Sequence, residues 1–179
     1  MSRVVPIRLT RPRIGPIAAT RGFTLVEILV VVVIISLLAM MAVPGVQLVQ
    51  RRAKSSAVIN DFRVFATAFH TYAHENGSFP AEAAPGVVPI GMENMLKIDA
   101  WLRVTPIGGH YNWENNQLHF GVQYKAAIAI TGTADAPLTL DVNQLTDIDK
   151  AIDDGDLYNG NFRLGAGLNP LFVDRKSVV

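Results

Sequence analysis

Between Phe23 and Val43 the chain reads FTLVEILVVVVIISLLAMMAV, 21 residues in which only Thr24, Glu27 and Ser36 are polar. As a helix this run would extend about 32 Å, enough to cross the hydrocarbon of a bilayer. Its valines and isoleucines suit a buried strand, but 21 residues is several times the usual strand length. The pattern predicts a membrane helix. Beyond Pro44 and Gly45, which should kink or loosen it, the helical period continues. Val58, Phe62, Phe65, Phe69 and Tyr72 follow at spacings of 4, 3, 4 and 3, giving one apolar face for a globular body to rest on. The helix is predicted to stop at Asn76, with Gly77 as a left-handed cap and Pro80 just beyond.

The pattern then shortens. Residues 81–91 (AEAAPGVVPIG) read as a connector, and Met92, Met95, Leu96 and Trp101 suggest a short helix within Met92–Val104. Tyr111–Trp113, a turn at Glu114–Gln117, and an alternating strand over Leu118–Ile130 read as a hairpin. Leu138–Val142 suggests another strand. Thr146 is a candidate cap for a helix ending at Gly155, with Ile148 and Ile152 facing inward. Asn159-Gly160, between Tyr158 and Phe162, predicts a hairpin turn, and Leu171–Val173 a last strand. The expected fold class is α+β: a long N-terminal helix, transmembrane in its first half, packed on a small antiparallel sheet. The expected parts are residues 1–22, a helix over 23–77 (membrane-spanning over 23–43, amphipathic over 45–76) and a globular region over 78–179.

Charge divides the chain unevenly. Residues 1–22 hold Arg3, Arg8, Arg11, Arg13 and Arg21 and no acid, which leaves 11 basic against 15 acidic residues, or −4, in residues 23–179. An acidic body without a basic stripe argues against direct nucleic-acid binding. The absence of cysteine removes thiol nucleophiles and cysteine-ligated zinc.

A basic stretch before an apolar run also fits a secretory signal peptide or a plain signal anchor. The apolar run exceeds the 7–15 residues usual in a signal peptide, and a cut after Met40-Met41-Ala42 lacks a small residue at −3. A signal anchor would tether an exported enzyme or binding domain. In either case the leader arginines stay on the cytoplasmic side, a bias that Arg51, Arg52 and Lys54 beyond the span reduce without reversing. Both readings leave Glu27 unexplained. A carboxylate there costs on the order of 2–3 kcal/mol in hydrocarbon, and positions 28–43 hold no Lys, Arg or His to neutralise it. Cutting the chain before Phe23 would create an α-amine four residues away, able to neutralise Glu27 of the same or a neighbouring chain.

The segment Arg21-Gly22-Phe23-Thr24-Leu25-Val26-Glu27, set against an unbroken apolar helix and followed by Pro44, resembles the class III leader of type IV prepilins and pseudopilins. The resemblance implies cleavage between Gly22 and Phe23 by a prepilin peptidase and N-methylation of Phe23. It gives Glu27 and Pro44 roles in assembly and retains the helix as the packing core of a filament. Implied partners are identical or related pilin subunits, an inner-membrane assembly platform with its ATPase, and membrane lipid before assembly. Implied localisation is a single pass of the inner membrane with the N-terminus cytoplasmic and the body exported. Tyr72–Pro80 (YAHENGSFP) is similar to the segment that closes this helix in pseudopilins. That ending, and the lack of cysteines to close a C-terminal loop, lean towards a pseudopilin of type II secretion. The missing D-P-W-G motif leans towards a surface pilin for adhesion, motility or DNA uptake.

Other chemistry is sparse. His70 and His74 lie four apart, a spacing that can clamp a metal, but no glutamate base stands between them and they sit roughly 100–140° from the apolar stripe. Asp153, Asp154 and Asp156, with Asn159 and Asn161, offer oxygens for Ca²⁺, and the resemblance adds interest because major pseudopilins bind calcium in a C-terminal loop. Tyr158 breaks the EF-hand pattern, so no ligand set transfers and no cofactor is expected. Ser36 suits a bond to its own backbone, and Gly108-Gly109 a turn rather than a phosphate loop. No enzymatic activity is expected.

Overall fold

The computed structural model describes residues 22–139 and 141–173. The leader before Gly22, apart from that glycine, lies outside them. The chain divides into two compact units, one ending at Val43 and one beginning at Pro44.

Helix α1 runs from Leu25 to Asn76, 52 residues. Thr24 starts it: the Glu27 amide donates to the Thr24 carbonyl (3.1 Å) and hydroxyl (3.2 Å), and the Ile28 amide to the same carbonyl (3.3 Å). With Glu27 three residues on, Thr24 stands where a capping box places its hydroxyl residue. Pro44 lies within the assigned helix, which continues past it. At the far end Gly77 takes φ 75°, the left-handed cap expected there. In the second unit Val58, Phe62, Phe65 and Phe69 are fully buried and Tyr72 half-buried, so the stripe predicted from spacing faces a core.

That core is a four-stranded antiparallel sheet in the order β1 (His110–Glu114), β4 (Ala127–Thr131), β6 (Pro170–Val173), β5 (Phe162–Leu164). Tyr111, Trp113, Ile128, Ile130 and Phe162 meet the α1 phenylalanines. Phe69 stacks on Trp113 at 3.8 Å between ring centroids, and Phe65 meets Trp101 and Tyr111 edge-on at 5.0 and 4.9 Å. One acid sits on this apolar face. Asp61 accepts from the Tyr111 hydroxyl at 2.8 Å and from the Arg103 guanidinium, a pairing that joins α1 to the sheet and satisfies a buried charge. Burial and the Asp61 charge hold the Tyr111 hydroxyl protonated far above its ordinary range. On the opposite face of the sheet Tyr124, Ala127, Ala129, Leu171 and Val173 form a second, smaller cluster.

Several expected elements differ. The helix sought within Met92–Val104 is one turn at Met92–Leu96 and then α2 (Ile98–Leu102), because Lys97 leaves helical geometry between them. Leu118–Ile130 is not one strand. Phe120 (φ 49°) and Gly121 (φ 83°) turn the chain into a small hairpin of β2 (Gln117–His119) and β3 (Val122–Tyr124), after which β4 returns to pair with β1. The alternation in the sequence belongs to three strands on two sheets, and Leu118 and Phe120, in the small hairpin, are 64% and 74% exposed. Among the described residues of Leu138–Val142 no strand forms. Leu140 lies outside the described residues, and Val142 opens helix α3 (Val142–Ile152), capped by the Asp141 carboxylate accepting from the Asn143 amide at 2.9 Å. Thr146 is therefore inside the helix, bonding back to the Val142 carbonyl at 3.0 Å. Ile148 is buried and Ile152 half-buried, as expected. Asn159-Gly160 does turn the chain, but no strand precedes it. β5 pairs instead with β6 across Gly165–Asn169.

Candidate processing and assembly site

Gly22, Phe23 and Thr24 lie outside the helix and are exposed, and with Glu27 they line one open recess. The cap explains the boundary: Thr24 holds the first helical amides, so the Gly22–Phe23 peptide stays non-helical and available to another protein. A side chain built on Gly22 would meet nothing within 4 Å, and its backbone does not take the left-handed conformation. Nothing in the fold of this unit therefore requires glycine there. Among the described residues no ion pair involves Glu27. The helix that follows is long and apolar enough to cross a membrane, and its apolar side chains from Leu25 to Val43 are exposed. An exposed non-helical peptide, an acid with no ion pair among the described residues and an exposed apolar helix thus lie within one short stretch.

Residues 17–43 match the family model described as the prokaryotic N-terminal methylation motif. Residues 17–43 are a prokaryotic N-terminal methylation motif. Its boundaries put Gly22, Phe23 and Glu27 inside the match and end it at Val43, one residue before Pro44. The chain is also similar to the type II secretion system core protein G of Escherichia coli K12, at 30% identity over 94 residues, 52% of this chain and 59% of that protein. It is 40% identical to the core protein G of Pseudomonas aeruginosa over 60 residues, 34% of this chain and 42% of that protein. The matches span about half the length of these relatives. Because 94 residues exceed the 27 of the motif match, the resemblance to the Escherichia coli protein extends beyond residue 43.

The remaining candidates gather less. His70 and His74 are exposed, and the His70 ring lies 5.8 Å from that of Phe79. Ser36 donates to the Val32 carbonyl at 2.7 Å, the back-bond its position suggested. Gly108 and Gly109 form a turn with φ 81° and 71°. A Cβ on Gly108 would stand 2.2 Å from the Pro137 carbonyl, so close packing of two loops requires glycine there. Among the described residues no group of three or more His, Asp or Glu is arranged to hold a metal. In the acidic loop Asp154 accepts from the Asp156 amide, Asp156 from the Tyr158 amide and the Asn159 side chain, and Asp153 from the Asn161 amide. The Asn159 and Tyr158 donors hold the Asp156 carboxyl below its ordinary value.

One acid in this region escaped the sequence reading. Asp149, on α3, is fully buried with both carboxylate oxygens lacking a hydrogen-bond partner in good geometry. Burial, with the neighbouring charges of Asp154, Asp153 and Asp156, pushes its carboxyl up to about 6, which the Gly155 amide offsets in part. Its i,i+4 relation to Leu145 and one-residue offset from Ile148 was the available signal. The folded state binds this proton more tightly than the unfolded chain, so the stabilisation is complete below the ordinary value of 3.8 and is lost as pH rises through about 6. Asp149→Asn should therefore raise stability at pH 7.5 by roughly 1–3 kcal/mol and add little at pH 3.5. Thermal unfolding from pH 3.5 to 7.5 checks it: equal pH slopes in the two proteins would contradict the assignment. A wild-type slope that disappears in millimolar calcium would show that an ion, not a proton, settles Asp149.

Proposed function

We propose that this chain is a structural subunit of a type IV pilin-like fibre, a pseudopilin of a type II secretion system, with no catalytic role. The observation that carries the reading is the prepilin motif at Gly22–Glu27 joined directly to an uncovered apolar helix. Similarity to two proteins named as type II secretion core protein G favours the pseudopilin over a surface pilin. In this reading the subunit is stored in the inner membrane as a single-pass protein, leader in the cytoplasm and body exported. A prepilin peptidase cuts between Gly22 and Phe23 and methylates Phe23. Related subunits then pack through α1, with an assembly platform and its ATPase supplying the machinery and work of extraction.

Each residue has a distinct task. Gly22 admits the peptidase because its peptide carries no side chain, and Thr24 keeps that peptide out of the helix. Phe23 supplies the new amine, which keeps its positive charge when methylated. Glu27 is the acid that amine neutralises, and Pro44 ends the motif-bearing stretch of the helix. A signal-anchored enzyme would need none of these four features together.

Mass spectrometry of the protein from its native membrane tests the reading. The mature form should begin at Phe23, carry one added methyl group and keep the apolar helix. A form beginning near Val43, or one retaining residues 1–22 in the assembled state, would refute it. Replacing Gly22 with a bulky residue should leave uncut precursor in the membrane.

A further inference from the structure

Residues 44–50 are all exposed, and the first residue of α1 that the body buries is Ser55. Within this bare stretch Val46, Leu48 and Val49 present 54%, 46% and 66% of their surface. At about 100° per residue the three spread over roughly 160° of the helix, wider than the seam one packed helix would cover, with Gln47 and Gln50 on the remaining side. Cations follow at once. Arg51 is held by Asp141 at 2.5 Å. Arg52 and Lys54 are exposed, have no ion pair or hydrogen bond among the described residues, and point about 160° apart. A single acidic patch on another protein could not meet both. A layer of phosphate groups surrounding the helix could.

We infer that Arg52 and Lys54 form a collar against the phospholipid headgroups of the leaflet on the body's side, and that the hydrocarbon covers Ile28–Val49 rather than the stretch 23–43 suggested by sequence. This rests on the membrane-stored reading above. Twenty-two residues make about 33 Å of helix, the thickness of the hydrocarbon, whereas 23–43 would leave Val46, Leu48 and Val49 bare in water. The collar then lies about 5–8 Å beyond Val49, at headgroup depth, where long basic side chains extend their charge to phosphate. At the other end the shift lifts Glu27 to the cytoplasmic headgroup boundary, where a carboxylate is cheap, and sets Gly22–Phe23 clear of the bilayer for a peptidase. Glu27 enters an apolar environment only when the subunit leaves lipid for the fibre. The partner is phospholipid, identified by continuity of the apolar surface with the span and by charge complementarity at its rim.

The chain has no cysteine, so single cysteines report depth directly. The full chain, reconstituted at low density in phosphatidylcholine–phosphatidylglycerol vesicles, is labelled from outside with a membrane-impermeant maleimide, with rates normalised to Ser56→Cys. Ile34→Cys and Val49→Cys should both label at least about tenfold more slowly than Ser56→Cys. Ala53→Cys should label readily, and at least about threefold more slowly once Arg52→Gln and Lys54→Gln let the helix slide inward. Protection at Ile34 with free labelling at Val49 would overturn the register while leaving the membrane reading intact. Labelling at Ile34 as well would remove both. Protection at Val49 that arises only on polymerisation would assign the surface to a second copy instead, and an Ala53 rate indifferent to the double substitution would dismiss the collar.

Discussion

Glu27→Leu should leave membrane insertion and cleavage before Phe23 nearly unchanged, yet reduce polymer to less than about a tenth of the wild-type yield when it is the only subunit present. The precursor has no cation between residues 28 and 43, and no ion pair among the described residues reaches Glu27. Only after cleavage does a positive amine stand at Phe23. Within a bundle of apolar helices, amine and carboxylate of adjacent subunits can meet at a single stagger, so the pair would fix the axial step as well as neutralise the acid. Leucine makes the helix more apolar, so poorer insertion could not account for a defect. Shear-released or cross-linked polymer, measured against total mature subunit, decides the matter. Wild-type yield with processing confirmed would mean that the carboxylate is not the assembly contact.

Phe65→Asp should unfold the body. Phe65 is fully buried between Trp101 and Tyr111, and Arg103, which packs near this cluster through Tyr111 and Asp61, is already committed to Asp61. An unpaired carboxylate there, with loss of the ring contacts, should cost at least ~4 kcal/mol, a large share of the stability of a domain this size. A fragment of residues 45–179 should be soluble and folded in the wild type, because its stripe is covered by its own sheet. The near-ultraviolet circular dichroism of Trp101 and Trp113 should collapse in the variant. Retention of that signal would show that the aromatic cluster does not hold the body together.

The readings that succeeded rest on long periods. A stripe repeated over Val58–Tyr72 averages out local competition, and Asn76-Gly77-Ser78-Phe79-Pro80 gathers several stop signals in five residues. The N-terminal methylation motif was equally legible, because the match over residues 17–43 rests on linear spacing rather than on packing. The short elements depended on context that a single stretch does not carry. Alternation over Leu118–Ile130 is genuine, yet Phe120 adopts a left-handed backbone that bulky residues rarely take, and the run is divided among three strands on two sheets. Asp141 captured the start of α3 because its short carboxylate reaches the Asn143 amide, whereas Thr146 had a carbonyl one turn back to bond. Asp149 was hidden by type: an acid beside three others reads as solvated, and only the packing of α3 shows that it is not.

The sheet order has a temporal consequence. β4 contributes both Ile128 and Ala129 to buried faces, and its second edge is covered by β6, the last described strand. Phe172 of that strand stacks on Phe62 of α1 at 5.4 Å, so the end of the body completes a contact with its beginning. A chain delivered N-terminus first, whether from a ribosome or through a translocation pore, cannot close this sheet until Pro170–Val173 has emerged. Until then Ala127–Ala129 is an open edge, the state in which a chaperone or a protease would find it. A stop codon shortly before Pro170 would thus arrest nearly the whole body in that state.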